Sequence, residues 1–312
     1  MVDINMSIGN SHGKIILMGE HAVVYGYPAI AIPFFKGQIT TTIKEHTTDA
    51  MISCILYEGL LEESPSYLDN LKHLIREMLN NFNYKENNLS FTISSNIPPQ
   101  RGLGSSAAVA VSIVRAIYNY FDVELTYDEL LEWVNVSETI AHGNPSGLDA
   151  RLTSSSKPVY YLKNKELTPF DIKTDAYLVI ADSGLQGQTK QAVGHLANLL
   201  TNDNKTYSEL LSKLGEASEN SYTALKSNNL VNLGIQMNTA HNLLMKCEVS
   251  HTKLDKLVEV ARNSGALGAK MTGGGMGGCI IALANNYSSA LRIEKSLKEH
   301  AIQAWTTKLA ND

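Results

Sequence analysis

The sequence predicts two domains that mix strands with helices, divided into residues 1–173 and 174–312. Three observations carry the prediction. A chain of 312 residues with 44% hydrophobic content buries more than one ordinary core, and two domains is the expectation at that length. Strand patterns crowd the first half, whereas helix patterns dominate the second. Two glycine-rich stretches, Arg101-Gly-Leu-Gly104 and Gly273-Gly-Gly-Met-Gly-Gly278, punctuate the apolar runs.

Taken in order, Lys14 to Met18 is a short apolar strand ended by Gly19, and Ala29 to Phe35 is a second. Gln38 to Lys44 alternates and is rich in Thr and Ile, which suits another. Tyr67 to Phe82 carries Leu68, Leu71, Leu74, Ile75, Met78 and Leu79, the stripe of an amphipathic helix. Leu89 to Ile93 alternates as a strand and leads into Pro98-Pro-Gln-Arg-Gly-Leu-Gly-Ser-Ser106. The apolar run that follows, to Phe121, is too long for a strand. It sets Val111, Val114, Ile117, Tyr118 and Phe121 at helical spacing, with Ser105 or Ser106 as N-cap. Thr126-Tyr-Asp-Glu129 is a capping box for a helix from Tyr127 to about His142, stopped by Gly143-Asn-Pro145. Lys157 to Leu162 and Ala176 to Ala181 read as strands. Thr206-Tyr-Ser-Glu209 is a second capping box, and helices follow over 207–226, 230–247 and 251–264, with Gly265 ending the last. Cys279 to Leu283 is a strand, Ser288 to His300 a helix, and Ile302 to Thr307 a closing strand.

Composition narrows the function. With 26 basic and 31 acidic residues the net charge is −5, which speaks against a nucleic-acid surface, so any phosphate must be held by a local site. Cys54, Cys247 and Cys279 are odd in number and far apart, and neither CxxC nor HExxH occurs. No disulfide framework or zinc site is indicated, and a reducing compartment fits. The opening Met-Val-Asp-Ile-Asn-Met lacks a signal-peptide pattern, and the apolar stretches 28–35 and 279–284 fall far short of a membrane span. A soluble, cytoplasmic protein with no membrane partner is expected.

The chemistry-bearing residues lie around the glycine loops. A glycine loop feeding a helix N-terminus offers unpaired N–H groups and the positive end of the helix dipole, which favour a phosphate; a tight turn before a core helix is the alternative. Glu20 and His21 lie between two apolar strands, six and seven positions after Lys14, where a solvated turn is the competing reading. Glu138 and His142 share a helix face, and Asp149 follows the break after that helix. Phosphoryl transfer wants a carboxylate or hydroxyl on Mg²⁺, a cation on the phosphates and a group to accept the alcohol proton; Ser106, Glu138, Lys14 and Asp149 are the right types. Gly273, Gly275 and Gly278 satisfy GxGxxG literally. The loop opens a strand rather than a helix, however, so a dinucleotide site is not expected. P-loop and protein-kinase signatures are missing.

Lys14-Ile-Ile-Leu-Met-Gly-Glu20-His21-Ala-Val-Val-Tyr-Gly26, Pro98 to Ser106, and Lys270 to Cys279, in this order, resemble the GHMP kinase superfamily of small-molecule kinases over almost the whole chain. The Gly-Glu-His element has the form of the branch that acts on mevalonate, rather than that of galactokinases or homoserine kinases. His12 departs from the proline common before Gly-Lys. The resemblance implies an α+β fold with an S5-like N-terminal and a ferredoxin-like C-terminal domain. It implies ATP-dependent phosphorylation of the 5-hydroxyl of (R)-mevalonate to 5-phosphomevalonate in isoprenoid biosynthesis. On it, Asp149 and Lys14 are catalytic, Ser106 and Glu138 hold Mg²⁺, and Pro99, Arg101, Gly102, Leu103, Gly104, Ser105 and Ser106 bind ATP. Glu20, His21 and Thr189 line the substrate side. A sibling kinase acting on phosphomevalonate or a sugar, and a regulator that binds nucleotide without turnover, stay open. So do a homodimer and a monomer, because the helices after Thr206 suit either an interface or packing on a sheet.

Overall fold

The computed structural model describes residues 6–85, 88–143, 147–163, 165 and 167–310. The opening stretch before Met6 and the predicted helix-stopping residues Asn144 and Pro145 lie outside the described residues. The chain forms two compact units, each assembled from separated segments. The first takes the residues through Gly13 together with Gly37–Pro98 and Gly104–Ser155; the second takes Lys14–Lys36, Pro99–Leu103 and everything from Ser156 onward. The strands β1 (Met6–Met18) and β2 (Ala29–Glu45) each contribute residues to both, whereas the cut near residue 174 divides the chain only once.

In the first unit, β5 (Leu89–Ser95) pairs antiparallel with the second half of β2, from Ile39↔Ser95 to Glu45↔Leu89. β3 (Met51–Cys54) runs parallel to β5 and turns back as β4 (Tyr57–Leu60). The helices are α1 (Asp69–Asn81), α2 (Ser105–Tyr120), α3 (Tyr127–His142) and α4 (Leu148–Ser154). The predicted stripe of α1 is buried at Leu71, Leu74, Ile75, Met78 and Leu79, each worth about 1.5–3 kcal/mol of burial. α2 is apolar nearly all round because α1, α3 and α4 cover it on one side and β1 on the other. The approach of β1 explains an inverted pattern that apolar periodicity does not detect. Ser7, Gly9 and Ser11 point inward while Met6 and Ile8 face out. The inward residues are small because α2 lies against them: a Cβ on Gly9 would meet the Ser112 carbonyl oxygen at 2.1 Å, and Ser7 Oγ donates to the Ala116 carbonyl at 2.8 Å.

The second unit carries an antiparallel sheet of four strands in the order β11-β8-β10-β9. These are β8 (Tyr177–Asp182), β9 (Gly268–Thr272), β10 (Cys279–Ala284) and β11 (Gln303–Lys308). Helices α5 (Thr189–Asn202), α6 (Asn204–Lys226), α7 (Leu230–Lys246) and α8 (Thr252–Asn263) precede β9, and α9 (Tyr287–Lys298) joins β10 to β11. Strand–helix–strand–strand–helix–strand with that order is the ferredoxin-like arrangement. β6 (Val159–Tyr161) pairs with Ala29–Ala31 of β2 and with β7 (Thr168–Pro169).

Several predicted boundaries change. Ala29 to Phe35 and Gln38 to Lys44 are one strand, carried through Lys36-Gly37. α2 is capped by Gly104 at φ 74° rather than by Ser105 or Ser106, which lie inside its first turn. α6 begins before the predicted box, because Asp203 Oδ1 accepts from the Thr206 N–H at 3.1 Å and so moves the cap three positions upstream. The box at Thr126 and Glu129 forms as predicted. β3, β4, α4, β7, α5 and β9 are additions; α4, β7 and β9 are too short for periodicity, and α5 buries only Ala192 and Leu196.

Candidate active site

In the second unit, β1 ends at Met18 and Glu20 and His21 follow it. They are not a solvated turn: Glu20 is 4% exposed and His21 6%. Glu20 Oε1 accepts from the Nζ of Lys270, a fully buried lysine in the middle of β9, and the same Nζ donates to the Met271 carbonyl at 2.7 Å. Burial pushes the Glu20 carboxyl up and the Lys270 ammonium down, while each charge pulls its partner back toward ionisation, and Lys14 adds to the pull on Glu20. His21 sits at φ 61°, uncommon for a residue with a side chain, and its Nε2 donates to the Gly274 carbonyl at 2.9 Å. Burial lowers its pKa to about 4, so the ring is neutral at physiological pH. With the proton on Nε2, Nδ1 is an acceptor. Glu20 Oε2 and His21 Nδ1 are both buried, and neither has a hydrogen-bond partner among the described residues.

The loop between β9 and β10 is packed backbone to backbone. A Cβ on Gly273 would lie 2.8 Å from Gly102 Cα, and one on Gly274 would lie 2.0 Å from Thr189 Oγ1. Thr189, in the first turn of α5, and His21 therefore both pack against Gly274. The segment Pro99–Leu103 is tied in from two sides: the Lys14 N–H donates to the Leu103 carbonyl at 2.9 Å and the Gly187 N–H to the Gln100 carbonyl at 2.8 Å. Arg101 Nε donates to both oxygens of Asp182, at 2.8 and 2.9 Å, with its outer nitrogens on the Pro99 and Gly184 carbonyls. Its guanidinium thus serves Asp182, at the end of β8, and its backbone packs on Gly278.

In the first unit, α2 starts from the Gly104 cap, which supplies no side-chain hydrogen bond to its first N–H groups. Ser106 Oγ donates to Glu138 Oε1 at 2.7 Å, and His142 Nε2 stands 3.7 Å from Glu138 Oε2 on the same helix face. A hydroxyl beside a buried carboxylate is a hard oxygen donor set, which suits Mg²⁺ with the remaining positions left to water and phosphate. Among the described residues there is no cluster of three or more His, Cys, Asp or Glu built to hold a metal by itself. Asp149 lies in the first turn of α4, at the helix end whose dipole favours a negative charge.

The structure thus joins Ser106 to Glu138 in one unit, and in the other it joins Glu20 and His21, Thr189, Lys14 and the Pro99–Leu103 segment to the β9–β10 hairpin. The expected ATP segment is divided, with Gly104, Ser105 and Ser106 in the first unit; Lys14 belongs to the second and Asp149 to the first. Lys270 and Asp182, the partners of Glu20 and Arg101, are not revealed by the motifs. The available signal for Lys270 is a single charge inside the apolar Gly-Ala-Lys-Met-Thr strand.

The GHMP kinases N terminal domain family matches residues 69–155, and the GHMP kinases C terminal family matches residues 221–303. The chain is 32% identical to the mevalonate kinase of Pyrococcus furiosus over 92% of each chain. It belongs to the GHMP kinase family. Two solved GHMP kinase structures resemble it over nearly their whole lengths. Mevalonate kinase from methicillin-resistant Staphylococcus aureus is 34% identical, with a TM-score of 0.77, covering 98% of this chain and 99% of that one. The L. major mevalonate kinase, solved with R-mevalonate, is 25% identical, with a TM-score of 0.83, covering 99% and 96%. No helix among the described residues of this GHMP kinase is long and apolar enough to cross a membrane.

Proposed function

We propose that the chain is an ATP-dependent kinase that phosphorylates the 5-hydroxyl of (R)-mevalonate, yielding 5-phosphomevalonate and ADP, in the cytoplasm and in isoprenoid biosynthesis. The observation that carries this reading is the buried Glu20-His21 pair, each with one unmet polar atom, beside a glycine hairpin that also seats Thr189. The mevalonate kinases to which the chain is similar support it. We assign residues 1–173 and 174–312 as the two family domains; the two family matches fall one on each side of that boundary.

In this mechanism the backbone of Gly102–Ser106, with Pro99 and Arg101 flanking it, cradles the ATP phosphates. Ser106 and Glu138 hold Mg²⁺, which when bound neutralises phosphate charge. The substrate oxygen attacks the γ-phosphorus, the bond to the β-phosphate oxygen breaks, and the alcohol proton passes to Asp149. Lys14 offsets the charge that develops around the transferred group. Glu20, His21 and Thr189 orient the alcohol. Little covalent help is needed, because positioning and charge neutralisation lower most of the barrier.

The test is ADP release from Mg-ATP against mevalonate, phosphomevalonate, homoserine and galactose. Turnover with mevalonate alone supports the reading. Turnover with another member overturns the substrate and keeps the kinase; ATP binding without any turnover identifies a regulator.

A further inference from the structure

Lys270 takes no part in the mechanism above, although it is fully buried. A lysine with no exposure is costly to desolvate, and fold stability alone would be served as well by an apolar side chain facing the same neighbours. Its ammonium has two acceptors, Glu20 Oε1 and the Met271 carbonyl. It occupies one carboxylate oxygen and leaves the other, Oε2, buried with no hydrogen-bond partner among the described residues. The hairpin that carries Lys270 is otherwise bound to the same segment: Thr272 Oγ1 donates to the Ile16 carbonyl at 2.9 Å, and Gly274 accepts from His21.

We propose that Lys270 is a positioning residue for the alcohol substrate: it holds Glu20 as a carboxylate with Oε1 engaged, so that Oε2 is the acceptor for a substrate hydroxyl, directly or through one water. The proposal rests on the mevalonate reading. The charged and titratable groups that act on Glu20 and Lys270 are Lys14 from β1, His21 beside Glu20, and His241 from α7, whose ring is neutral. Lys270 is the largest influence opposing the effect of burial on Glu20. Without it, burial pushes the carboxyl further toward its protonated form, which presents a hydroxyl in place of an acceptor.

The experiment measures kcat and both KM values from pH 6 to 9 for the unmutated enzyme, Lys270→Met, Glu20→Gln and the double variant. Lys270→Met is expected to raise the mevalonate KM by about tenfold or more at neutral pH, the scale of a lost hydrogen bond to a charged group. That KM falls again as pH rises and Glu20 ionises, while the ATP KM stays within about twofold. A general packing defect produces no such pH dependence. The double variant, which carries no buried charge from the pair, is expected to match Glu20→Gln and to be flat with pH; it keeps the test open if Lys270→Met does not fold. A mevalonate KM that is unchanged, a rise that ignores pH, or a double variant in which the two effects multiply would each overturn the role of Lys270. An unmutated enzyme that does not phosphorylate mevalonate overturns the substrate reading, and this proposal with it, without reference to any variant.

Discussion

Replacing Gly273 by alanine tests whether the Pro99–Leu103 segment and the β9–β10 hairpin are held by close backbone contact. The new methyl would lie 2.8 Å from Gly102 Cα and 3.2 Å from its carbonyl oxygen, on a backbone at φ +84°. The left-handed conformation costs a residue with a Cβ about 1–2 kcal/mol. Forcing a methyl into a filled space adds about 1–3 kcal/mol, here toward the upper end because the opposing atoms are backbone and cannot rotate away. Gly273→Ala is therefore expected to destabilise by about 2–5 kcal/mol in urea unfolding, with m unchanged. Two controls separate the contributions. Gly26, at φ +92° with nothing within 4 Å of a built Cβ, incurs only the backbone cost, so Gly26→Ala should lose about 1–2 kcal/mol. Gly194, exposed within α5 and also free of neighbours, should gain up to about 1 kcal/mol as alanine. A Gly273→Ala protein no less stable than Gly26→Ala would refute the close-contact argument.

Other substitutions address the remaining parts of the site. Asp149→Asn should lower kcat by about 10²–10⁴-fold with ATP affinity little changed, as for loss of a positioned proton acceptor, and near-normal turnover would remove Asp149 from the mechanism. Glu138→Gln should raise the Mg²⁺ concentration needed for half-maximal turnover; an unchanged metal titration would exclude it as a ligand. Arg101→Met removes the cation paired with the buried carboxylate of Asp182, leaving it the Gly184 N–H at 2.8 Å, and should cost about 3 kcal/mol in urea unfolding, whereas an unaltered midpoint would mean that the pair is not held in solution. Acid stability should report His241. Its Nδ1 accepts from the Met271 N–H at 3.3 Å, and burial, then the Arg262 and Lys270 charges, lower its pKa to about 3 despite Asp255 at 3.4 Å, a carboxylate already engaged by Ser250. The unfolded chain takes up this proton below about pH 6.5 and the native state does not, so its effect on stability is absent above pH 6.5 and destabilising from there toward pH 3. His241→Gln should flatten that part of the stability–pH curve, with His21 accounting for some of the slope that is left.

How much was legible in the sequence depended on whether a signal was local. The α1 stripe, the box at Thr126 and Glu129, and the glycine loops carry their meaning within a few residues, and each forms where it was read. The start of β1 is not legible because its buried positions are Ser7, Gly9 and Ser11, small or polar residues set against the backbone of α2 and, at Ser11, of α4, rather than apolar ones. The cap of α2 was misread because a glycine with positive φ competes with the serines that usually mark a helix start. Glu20 and His21 were recognised as candidates, but their burial was not readable from two polar residues in a turn. Lys270 was beyond reach for a related reason: its partner lies 250 positions earlier, and nothing adjacent to it reports a carboxylate.

That separation also bears on how the chain is made. At about 5–20 residues per second, roughly 12–50 s pass between synthesis of Glu20 and of Lys270, separated by 250 positions. Throughout that interval the nascent Lys14–Lys36 segment has neither its cation nor the β9–β10 hairpin that closes over it. Translation must pass Lys270 before the Glu20 carboxylate can be taken out of water with its partner, so a ribosome that stalls short of β9 releases a chain whose second unit cannot close.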